Sequence, residues 1–399
     1  MTSTDDAPTA DFAARSGMKP LRLALFSGNY NYVMDGPVRA LNRLIARVEE
    51  LGHEALVFAP TTKKPAFEHS GELHSIPSIA LPGGRDEYRF ATGLTRAAKR
   101  RLDAFSPTLI QVSAPDYLGL TALNYARARA IPAVASFHTR FDTYPRYYAM
   151  KWAEKYVTNY LRYFYKRCVR VYAPAQSMVE ELKRDRIGED LAIWSRGVDH
   201  DLFNPEKRDQ AWRTGKGVKE GDVLVAFVGR LVLEKGVDLF AEALTLAQKK
   251  EPHLRGIIVG DGPARGHFEQ IAPGAIFLGH QQGEALASAY ANADMFLNPS
   301  ITETFGNVTL EAISSGLPVI CAAASGSRSI VDDGVNGYLV NIEEGAPAFA
   351  NALTRLASNQ EERTVMSRAA RASSARFNWN VIIDDLVADY LAIVNRSKA

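Results

Sequence analysis

The stretch VAFVGRLVLEKGVDLFAEAL, residues 225–244, decides the fold class. Its apolar start followed by a glycine and a basic loop predicts a strand, and the apolar residues at helical spacing after it predict an amphipathic helix. A second stretch, ADMFLNPSITETFGNVTLEAISSGLPVI at 293–320, repeats the order strand, loop, helix and strand. This alternation is typical of an α/β protein with parallel sheets.

Similar alternation runs through both halves of the chain. The predicted strands of the first half are 21–27, 55–59, 108–113, 133–137, 169–173 and 191–194, with helices such as 37–51 and 117–130. Those of the second half are 223–228, 256–259, 275–278, 295–298, 318–322 and 337–340, with helices at 236–249, 284–292 and 307–315. Two successive doubly wound units predict a cleft between two sheets, with ligands at the carboxyl ends of the strands.

A chain of 399 residues is long enough for two domains. Composition and patterning predict a disordered tail, a first domain, a polar linker, a second domain and a last helix that packs back across the domain junction. Their expected bounds are 1–20, 21–200, 201–221, 222–376 and 377–399.

Composition also excludes several classes of protein. The chain has 47 Lys and Arg against 45 Asp and Glu, so its charge balance gives no reason to expect a nucleic-acid partner. Residues 1–20 lack the apolar core of a signal peptide, and no apolar run reaches the length of about 20 residues that spans a bilayer. Cys168 and Cys321 match no metal or redox spacing, which favours a reducing compartment. We therefore expect a cytosolic protein, or one that lies on a membrane without crossing it.

Two cations follow the strand of the opening stretch. Arg230 and Lys235 at the carboxyl end of a parallel strand suit a diphosphate, because fixed cations stabilise the negative charge that develops when it departs. Gly236 then starts a helix whose amino end adds partial positive charge. Either cation alone is explained equally well as surface charge.

Two carboxylates follow the strand of the second stretch. Glu303 lies in the loop and Glu311 lies two turns inside the helix, so the pair could grip different parts of one elongated ligand. The backbone amides of Phe305, Gly306 and Asn307 lie at the helix amino end, where a phosphate is favourable. The alternatives are a charge at a helix start for Glu303 and a solvated helix face for Glu311.

Together these motifs resemble the retaining glycosyltransferases of family 4, which have the GT-B fold of two Rossmann-like doubly wound domains facing across a cleft. The matching segments are GR…EKG at 229–236, VGDGP at 259–263, the two glutamates eight residues apart, SSGLPVI at 314–320 and RGVDHDLFNP at 196–205. The resemblance implies that Arg230 and Lys235 hold the donor diphosphate. It also implies that Glu311 binds the ribose and Glu303 the donor sugar.

The resemblance adds residues from other parts of the chain. Gly36 falls where the family has a glycine close to the diphosphate, although the family usually has two glycines there and this chain has Asp35 first, whose role is open. His138 falls where the family has a histidine that orients the donor sugar; a lone histidine at a strand end is otherwise more often structural. Backbone groups around Gly279 and His280 are expected to bind the base.

Two other patterns carry less weight. Asp199 and Asp201 have the D-x-D spacing of metal-dependent transferases, but turn and capping roles explain them within the RGVDHDLFNP segment. The glycines at 260 and 262 lack the register of a dinucleotide fingerprint, because residue 265 is Arg. We therefore expect no metal and no cofactor, with the nucleotide sugar as a co-substrate.

A basic and aromatic segment, 140–170, contains eight Lys and Arg residues against Asp142 and Glu154. Trp152, Tyr156, Tyr160 and Phe164 repeat every four residues and form one helical stripe. Basic residues beside such aromatics suit an anionic membrane surface, while the alternative is a stripe packed into the core. The expected membrane and acceptor residues are Arg140, Tyr144, Arg146, Lys151, Trp152 and Lys155.

The sequence thus predicts a retaining, metal-independent hexosyltransferase that moves a sugar from a nucleoside-diphosphate sugar, UDP rather than GDP, to a hydroxyl of a lipid or lipid-linked acceptor. The product would be an α-glycoside, made in the cytoplasm on the inner face of the cytoplasmic membrane. The alternatives are a soluble sugar or polysaccharide acceptor, an epimerase or phosphorylase on the same scaffold, and a sugar-nucleotide-binding regulator without activity.

Overall fold

The computed structural model describes residues 20–33, 36–81, 85–138, 152 and 154–396. The chain divides into two compact units. The first contains the described residues up to Ser195 together with those from Asn380 onward, and the second is Arg196–Trp379. The tail expected at 1–20 lies outside the described residues except for Pro20.

The first unit is built on a seven-stranded sheet in the order β3-β2-β1-β6-β7-β8-β9, in which all neighbouring strands are parallel. The strands of this unit, including a separate pair, are β1 (Arg22–Phe26), β2 (Glu54–Ala59), β3 (Glu72–Ser75), β4 (Ser78–Leu81), β5 (Arg85–Ala91), β6 (Leu109–Val112), β7 (Ala133–Ser136), β8 (Arg170–Ala173) and β9 (Leu191–Ile193). Its helices before Ser195 are α1 (Gly36–Glu50), α2 (Arg96–Phe105), α3 (Tyr117–Ala128), α4 (Glu154–Tyr165) and α5 (Gln176–Arg184).

Strands β3, β4 and β5 were not predicted from the sequence. Each is short or polar, so it lacks the apolar run that marked the buried strands. Strands β4 and β5 form a separate antiparallel hairpin in which Ile79 pairs with Phe90. Both side chains are exposed, because the hairpin adds no strand to the buried sheet.

The second unit is built on a six-stranded parallel sheet in the order β12-β11-β10-β13-β14-β15. Its strands are β10 (Val223–Val228), β11 (Leu254–Val259), β12 (Ile276–Gly279), β13 (Met295–Asn298), β14 (Val319–Ala322) and β15 (Gly337–Val340). Its helices are α6 (Gln210–Gly215), α7 (Val237–Gln248), α8 (Arg265–Ile271), α9 (Gly283–Ala291), α10 (Asn307–Ser314), α11 (Ser325–Arg328), α12 (Gly345–Ser358) and α13 (Gln360–Ser374). The strands carry the buried apolar runs that the sequence marks, and the doubly wound α/β fold is confirmed.

The segment 201–221, expected to be a linker, is part of the second unit. It carries a 3-10 turn at Pro205–Lys207 and helix α6. Arg213 in this helix is buried and donates hydrogen bonds to the carbonyl oxygens of Asn292, at 2.6 Å, and Asp222, at 2.7 Å. The polar residues of this segment therefore fasten it to the second unit, and the segment is not a spacer.

The last helix, α14 (Trp379–Arg396), belongs to the first unit beyond its first residue. Asp384 accepts a hydrogen bond from Nε of Arg47 at 2.7 Å. The buried hydroxyl of Tyr390 donates to Oε1 of Gln111, which lies on β6, at 2.8 Å. Charge and buried hydrogen bonding together hold this helix against the first sheet.

Candidate functional site

Strands β10 and β13 are neighbours at the point where the strand order of the second sheet reverses. The strands after β10 run outward on one side of it, and those after β13 run outward on the other. Ligands of open α/β sheets bind at such a switch point, at the carboxyl ends of the strands. Arg230 and Lys235 follow β10, and Glu303 follows β13, so all three lie in the loops at this switch point. The fourth charged residue predicted to bind the donor, Glu311, lies in the helix that comes after.

Glycines let the loops at this edge approach closely. Gly236, with a left-handed φ of 77°, separates the turn Leu233–Lys235 from α7. A Cβ at this position would lie 2.9 Å from Cγ of Pro299, which follows β13. The glycine therefore permits the contact that brings the two loops together.

The VGDGP segment has a similar role one strand away. A Cβ at Gly260 would lie 1.8 Å from the carbonyl oxygen of Gly229, and one at Gly262 would lie 2.4 Å from that of Leu231. Both glycines also have positive φ, at 141° and 159°. They pack the loop after β11 against the loop that carries Arg230.

Lys235 and Glu303 form an ion pair. Nζ of Lys235 lies 2.6 Å from Oε1 of Glu303, across 68 positions of sequence. Their side chains are 26% and 20% exposed, so the pair is partly withdrawn from water but still reachable by a ligand. A cation and a carboxylate this close can bind a phosphate and a sugar hydroxyl of the same donor.

Arg230 differs from Lys235 in having an exposed side chain. Its guanidinium forms no ion pair and no side-chain hydrogen bond with any residue in the described ranges. An Arg in this state keeps all its N–H donors available for a diphosphate.

The loop after Glu303 leads into α10 through Phe305 and Gly306. Phe305 is buried against the ring of Phe377, with ring centroids 5.9 Å apart. Gly306 adopts a φ of 97° as the residue before α10, and no side chain caps the helix start at Asn307. The amide of Asn307 is therefore not taken by a capping side chain, and the binding of a phosphate there stays a prediction.

Helix α11 supports the same loop. A Cβ at Gly326 would lie 2.7 Å from the carbonyl oxygen of Glu303 and 2.8 Å from that of Phe305. Only a residue without a side chain allows α11 this close, and the sequence gave no indication of this role.

Glu311 lies on α10, half-buried. The hydroxyl of Tyr290 is 3.1 Å from Oε2 of Glu311 and 3.1 Å from the carbonyl oxygen of Val308. Tyr290 is itself fully buried on α9, so it fixes the orientation of the glutamate. The sequence did not single out Tyr290, because an aromatic on an apolar helix face predicts only core packing.

Gly279 ends the edge strand β12, two strands from β10 and at the same edge of the sheet. Its φ is 69°, and its carbonyl oxygen accepts a hydrogen bond from the N–H of Gly260 at 2.8 Å. The backbone predicted to bind the base therefore lies at the carboxyl end of β12. Arg230 follows the carboxyl end of β10 in the same sheet.

The other two predicted donor residues belong to the first unit. Gly36 is the first residue of α1, and Asp35 before it lies outside the described residues. His138 follows β7 and is half-buried, with its ring centroid 5.9 Å from that of Trp194. Their proposed contact with a donor stays a prediction.

The basic and aromatic segment is only partly described. The predicted residues Arg140, Tyr144, Arg146 and Lys151 lie outside the described residues, and Lys155 is exposed at the start of α4. Trp152 and Tyr156 are 73% and 69% exposed, and their rings are in edge contact.

The stripe is not one continuous surface. Phe164 is fully buried in the core of the first unit, and Tyr160 packs against that core. The expectation of a single membrane-facing stripe is therefore wrong for its second half, where the core alternative holds. Only the first half, at Trp152 and Tyr156, is available to a membrane.

Asp199 of the D-x-D pattern has a structural role, and so does His200 between the two aspartates. Oδ1 of Asp199 accepts a hydrogen bond from the N–H of Leu202 at 3.0 Å, and Nε2 of His200 lies 3.0 Å from the carbonyl oxygen of Ser374. In the described part of the chain, no three His, Cys, Asp or Glu side chains are grouped to hold a metal ion. Cys168 and Cys321 are buried free thiols, and burial raises the pKa of each to about 12.

Comparisons with known proteins agree with this architecture. Residues 34–202 match the family described as Glycosyltransferase Family 4, and residues 222–359 match Glycosyl transferases group 1. A GDP-mannose-dependent alpha-mannosyltransferase of Mycolicibacterium smegmatis is 33% identical over 386 residues, covering 94% of this chain and 98% of that protein. The alpha-monoglucosyldiacylglycerol synthase of Acholeplasma laidlawii is 24% identical over 396 residues, covering 95% and 98%.

Among solved structures, the sucrose-phosphate synthase of Thermosynechococcus elongatus superposes with a TM-score of 0.77 at 20% identity, covering 94% of this chain and 99% of that one. Two doubly wound units of this kind, together with this superposition, define the GT-B fold. The chain belongs to glycosyltransferase family 4, and it is a hexosyltransferase. No helix in the described ranges combines the length and the apolar character needed to cross a bilayer.

Proposed function

We propose that this enzyme transfers a hexose from a nucleoside-diphosphate sugar to a hydroxyl of a lipid acceptor, with retention, so that an α-glycoside forms. The observation that carries the proposal is the switch point between β10 and β13. It holds two cations, Arg230 and Lys235, and two carboxylates, Glu303 and Glu311, within one unit. That set matches a diphosphate with a ribose on one side and a sugar on the other.

The proposed reaction exchanges two bonds at the anomeric carbon. The bond to the diphosphate oxygen breaks, and the acceptor oxygen forms a new bond on the same face of the sugar. The acceptor proton passes to the departing diphosphate, whose negative charge Arg230 and Lys235 balance. Glu303 is paired with Lys235, which suits a role in holding sugar hydroxyls better than that of a covalent nucleophile. In this scheme the side chains supply the positive charge, so no metal ion is needed.

Two donor bases are candidates. UDP is the expectation from the sequence. GDP is favoured by the name of the 33% identical relative, a GDP-mannose-dependent enzyme. Backbone groups near Gly279 would bind the base without a side chain that is specific for one base. They are therefore compatible with either UDP or GDP.

A lipid acceptor is supported by three observations. One full-length relative is named for a product that contains diacylglycerol. Trp152 and Tyr156 are exposed beside Lys155, and exposed aromatics next to a cation favour an anionic bilayer surface. The exposed pair Ile79 and Phe90 adds apolar surface to the same unit. We therefore place the enzyme on the cytoplasmic membrane as a peripheral protein.

The test is a donor panel with the full chain. UDP-glucose, UDP-galactose, GDP-mannose and GDP-glucose are each incubated with a total lipid extract, with diacylglycerol vesicles and with soluble methyl hexosides. We expect transfer of one hexose to lipid and an α-anomeric coupling constant in the product. A β-linked product would overturn retention, and transfer only to the soluble hexosides would overturn the lipid acceptor.

A Glu303→Gln variant and a Lys207→Ala variant complete the design. Lys207 forms an ion pair of the same length, 2.6 Å, with Glu284, which is 77% exposed. Lys207 is 27% exposed, close to the 26% of Lys235, and neither Lys207 nor Glu284 is among the proposed donor residues. The site assignment is supported if Glu303→Gln loses transfer while Lys207→Ala keeps it. Equal activity in the two variants would overturn the site assignment.

A further inference from the structure

The first unit has a switch point of its own. In its sheet the order β3-β2-β1-β6-β7-β8-β9 reverses between β1 and β6, so a crevice is expected beyond the carboxyl ends of these two strands. In the second unit, the equivalent position holds the residues proposed for the donor. The reaction needs a second substrate, and the switch point of the first unit is where the fold offers it a site.

Two residues flank this position. Gly28 follows β1, and Asp116 follows β6 at the start of α3. Oδ1 of Asp116 accepts a hydrogen bond from the N–H of Gly119 at 2.7 Å and so caps the helix. The other oxygen, Oδ2, is directed at Gly28, where a Cβ would lie only 2.8 Å away.

The glycine at position 28 is explained by that carboxylate. Gly28 is absent from the left-handed φ region, so its backbone conformation does not require glycine. A side chain there would cover Oδ2 of Asp116. The space above Oδ2 is thus kept clear at the point where the strand order predicts a ligand.

Asp116 also lacks the usual compensation for a partly buried charge. It forms no ion pair with any residue in the described ranges, and burial raises the pKa of its carboxyl group to about 6 despite hydrogen bonds from nearby backbone amides. Burial raises the pKa of the Tyr160 phenol on α4, and the nearby negative charge of Asp116 raises it further. Oδ2 is therefore an acidic oxygen with the Tyr160 phenol nearby, which suits a hydroxyl-bearing group attached to an apolar body.

We propose that Oδ2 of Asp116 accepts a hydrogen bond from a hydroxyl of the acceptor headgroup and so helps to select and position the acceptor. This inference rests on the proposed function, because it takes the second substrate to be a hydroxyl acceptor. It assigns to the first unit a residue that the sequence did not indicate, since an Asp before a helix predicts only a cap.

The test is Asp116→Asn in the full chain. Asn caps helices about as well as Asp, so the fold is kept while the negative charge is lost. Transfer from the active nucleotide sugar to the lipid extract is measured against extract concentration. We expect the half-saturating acceptor concentration to rise about tenfold, since a hydrogen bond to a charged group contributes more than a neutral one. The donor KM and the thermal shift caused by the nucleoside diphosphate should not change.

Two further variants separate binding from capping. Gly28→Ala places a methyl group 2.8 Å from Oδ2, so the carboxylate must shift away from the proposed hydroxyl and the half-saturating acceptor concentration should rise in the same way. Asp209→Asn changes a capping Asp of α6, whose Oδ1 accepts from the N–H of Ala211 at 2.8 Å, and should leave acceptor kinetics unchanged.

The outcomes distinguish this inference from the proposed function. If the wild-type chain transfers hexose and Asp116→Asn has the same acceptor dependence, the assignment of Asp116 is overturned and the donor site stands. An equal rise in donor and acceptor KM would also overturn it, because that result indicates a general structural effect. If the wild-type chain transfers no sugar to any hydroxyl, both proposals fail together.

Discussion

Nζ of Lys235 lies 2.6 Å from Oε1 of Glu303, although the two residues follow different strands. The contact depends on Gly236, which lets the loop after β10 reach Pro299. Two groups proposed to bind different parts of the donor therefore form an ion pair with each other. A donor that binds here exchanges this ion pair for contacts with phosphate and sugar.

The first prediction concerns this pair. Lys235→Ala removes a cation that balances the leaving diphosphate, so we expect the transfer rate to fall by about 10²- to 10³-fold. The pair is partly exposed, and its loss should change the free energy of unfolding by only about 1 kcal/mol. Steady-state kinetics and urea unfolding measure the two effects. Wild-type turnover in Lys235→Ala would contradict the site, and Lys207→Ala serves as the control with an ion pair of equal length.

The second prediction concerns Arg230. Its guanidinium is exposed and makes no ion pair with a described residue, so Arg230→Ala should leave the free energy of unfolding within about 0.5 kcal/mol of the wild type. The transfer rate should nevertheless fall by about 10²-fold, because the lost charge acts on the departing diphosphate. Arg368, another exposed arginine of this unit, provides the control. Equal rates in Arg230→Ala and Arg368→Ala would show that Arg230 does not act on the donor.

The third prediction concerns the orientation of Glu311. Tyr290→Phe removes the hydroxyl that lies 3.1 Å from Oε2 of Glu311. A hydrogen bond of this kind contributes about 1 kcal/mol, so nucleoside-diphosphate binding should weaken roughly fivefold. Isothermal titration with UDP and GDP measures the change. Tyr338, whose hydroxyl contacts Glu362 away from the switch point, gives the matched control, and the same loss in Tyr338→Phe would argue against a specific effect.

The fourth prediction concerns the membrane. The double variant Trp152→Ala, Tyr156→Ala removes exposed aromatic surface without touching the buried half of the stripe, so stability should be retained. We expect the double variant to float less with phosphatidylglycerol vesicles than the wild type does. The difference between the two proteins should be smaller in high salt. Val365→Ser changes an exposed apolar residue of the other unit and should float like the wild type. Unchanged flotation of the double variant would remove this surface from consideration.

The fifth prediction follows from the raised pKa of Asp116. Its ordinary pKa is 3.8, and burial raises it to about 6 in the folded protein. Above its usual pKa the unfolded carboxyl group ionises first, so this group lowers the free energy of unfolding as the pH rises from about 4 to 6. Asp116→Asn should therefore stabilise the protein at pH 7.5 more than at pH 4. Urea unfolding at both pH values tests this, and an equal effect at the two would contradict the buried carboxylate.

The sequence supports much of the fold because buried parallel strands carry continuous apolar runs. All twelve strands predicted for the two sheets are present, whereas β3, β4 and β5 were missed. Those three are polar or exposed, and propensity alone does not mark an exposed hairpin or an edge strand.

Part of the candidate site was also visible in the sequence. Arg230, Lys235 and Glu303 follow strand ends, and parallel strands bring such residues to one edge of a sheet. Tyr290 and Gly326 were missed, since their roles depend on tertiary contacts that no local pattern shows. The aromatic stripe of α4 was misread in part because helical spacing cannot tell which end of a stripe is buried.

The return of α14 to the first unit has a consequence for biosynthesis. The chain leaves that unit at Ser195 and comes back at Asn380, so the second unit is topologically an insertion. A growing chain can complete the second unit on the ribosome, but Gln111 gains its Tyr390 partner only when the last helix has emerged. Emergence of α14 therefore sets the moment at which the amino-terminal unit matures. A stop codon near residue 379 would damage the part of the protein that was made first.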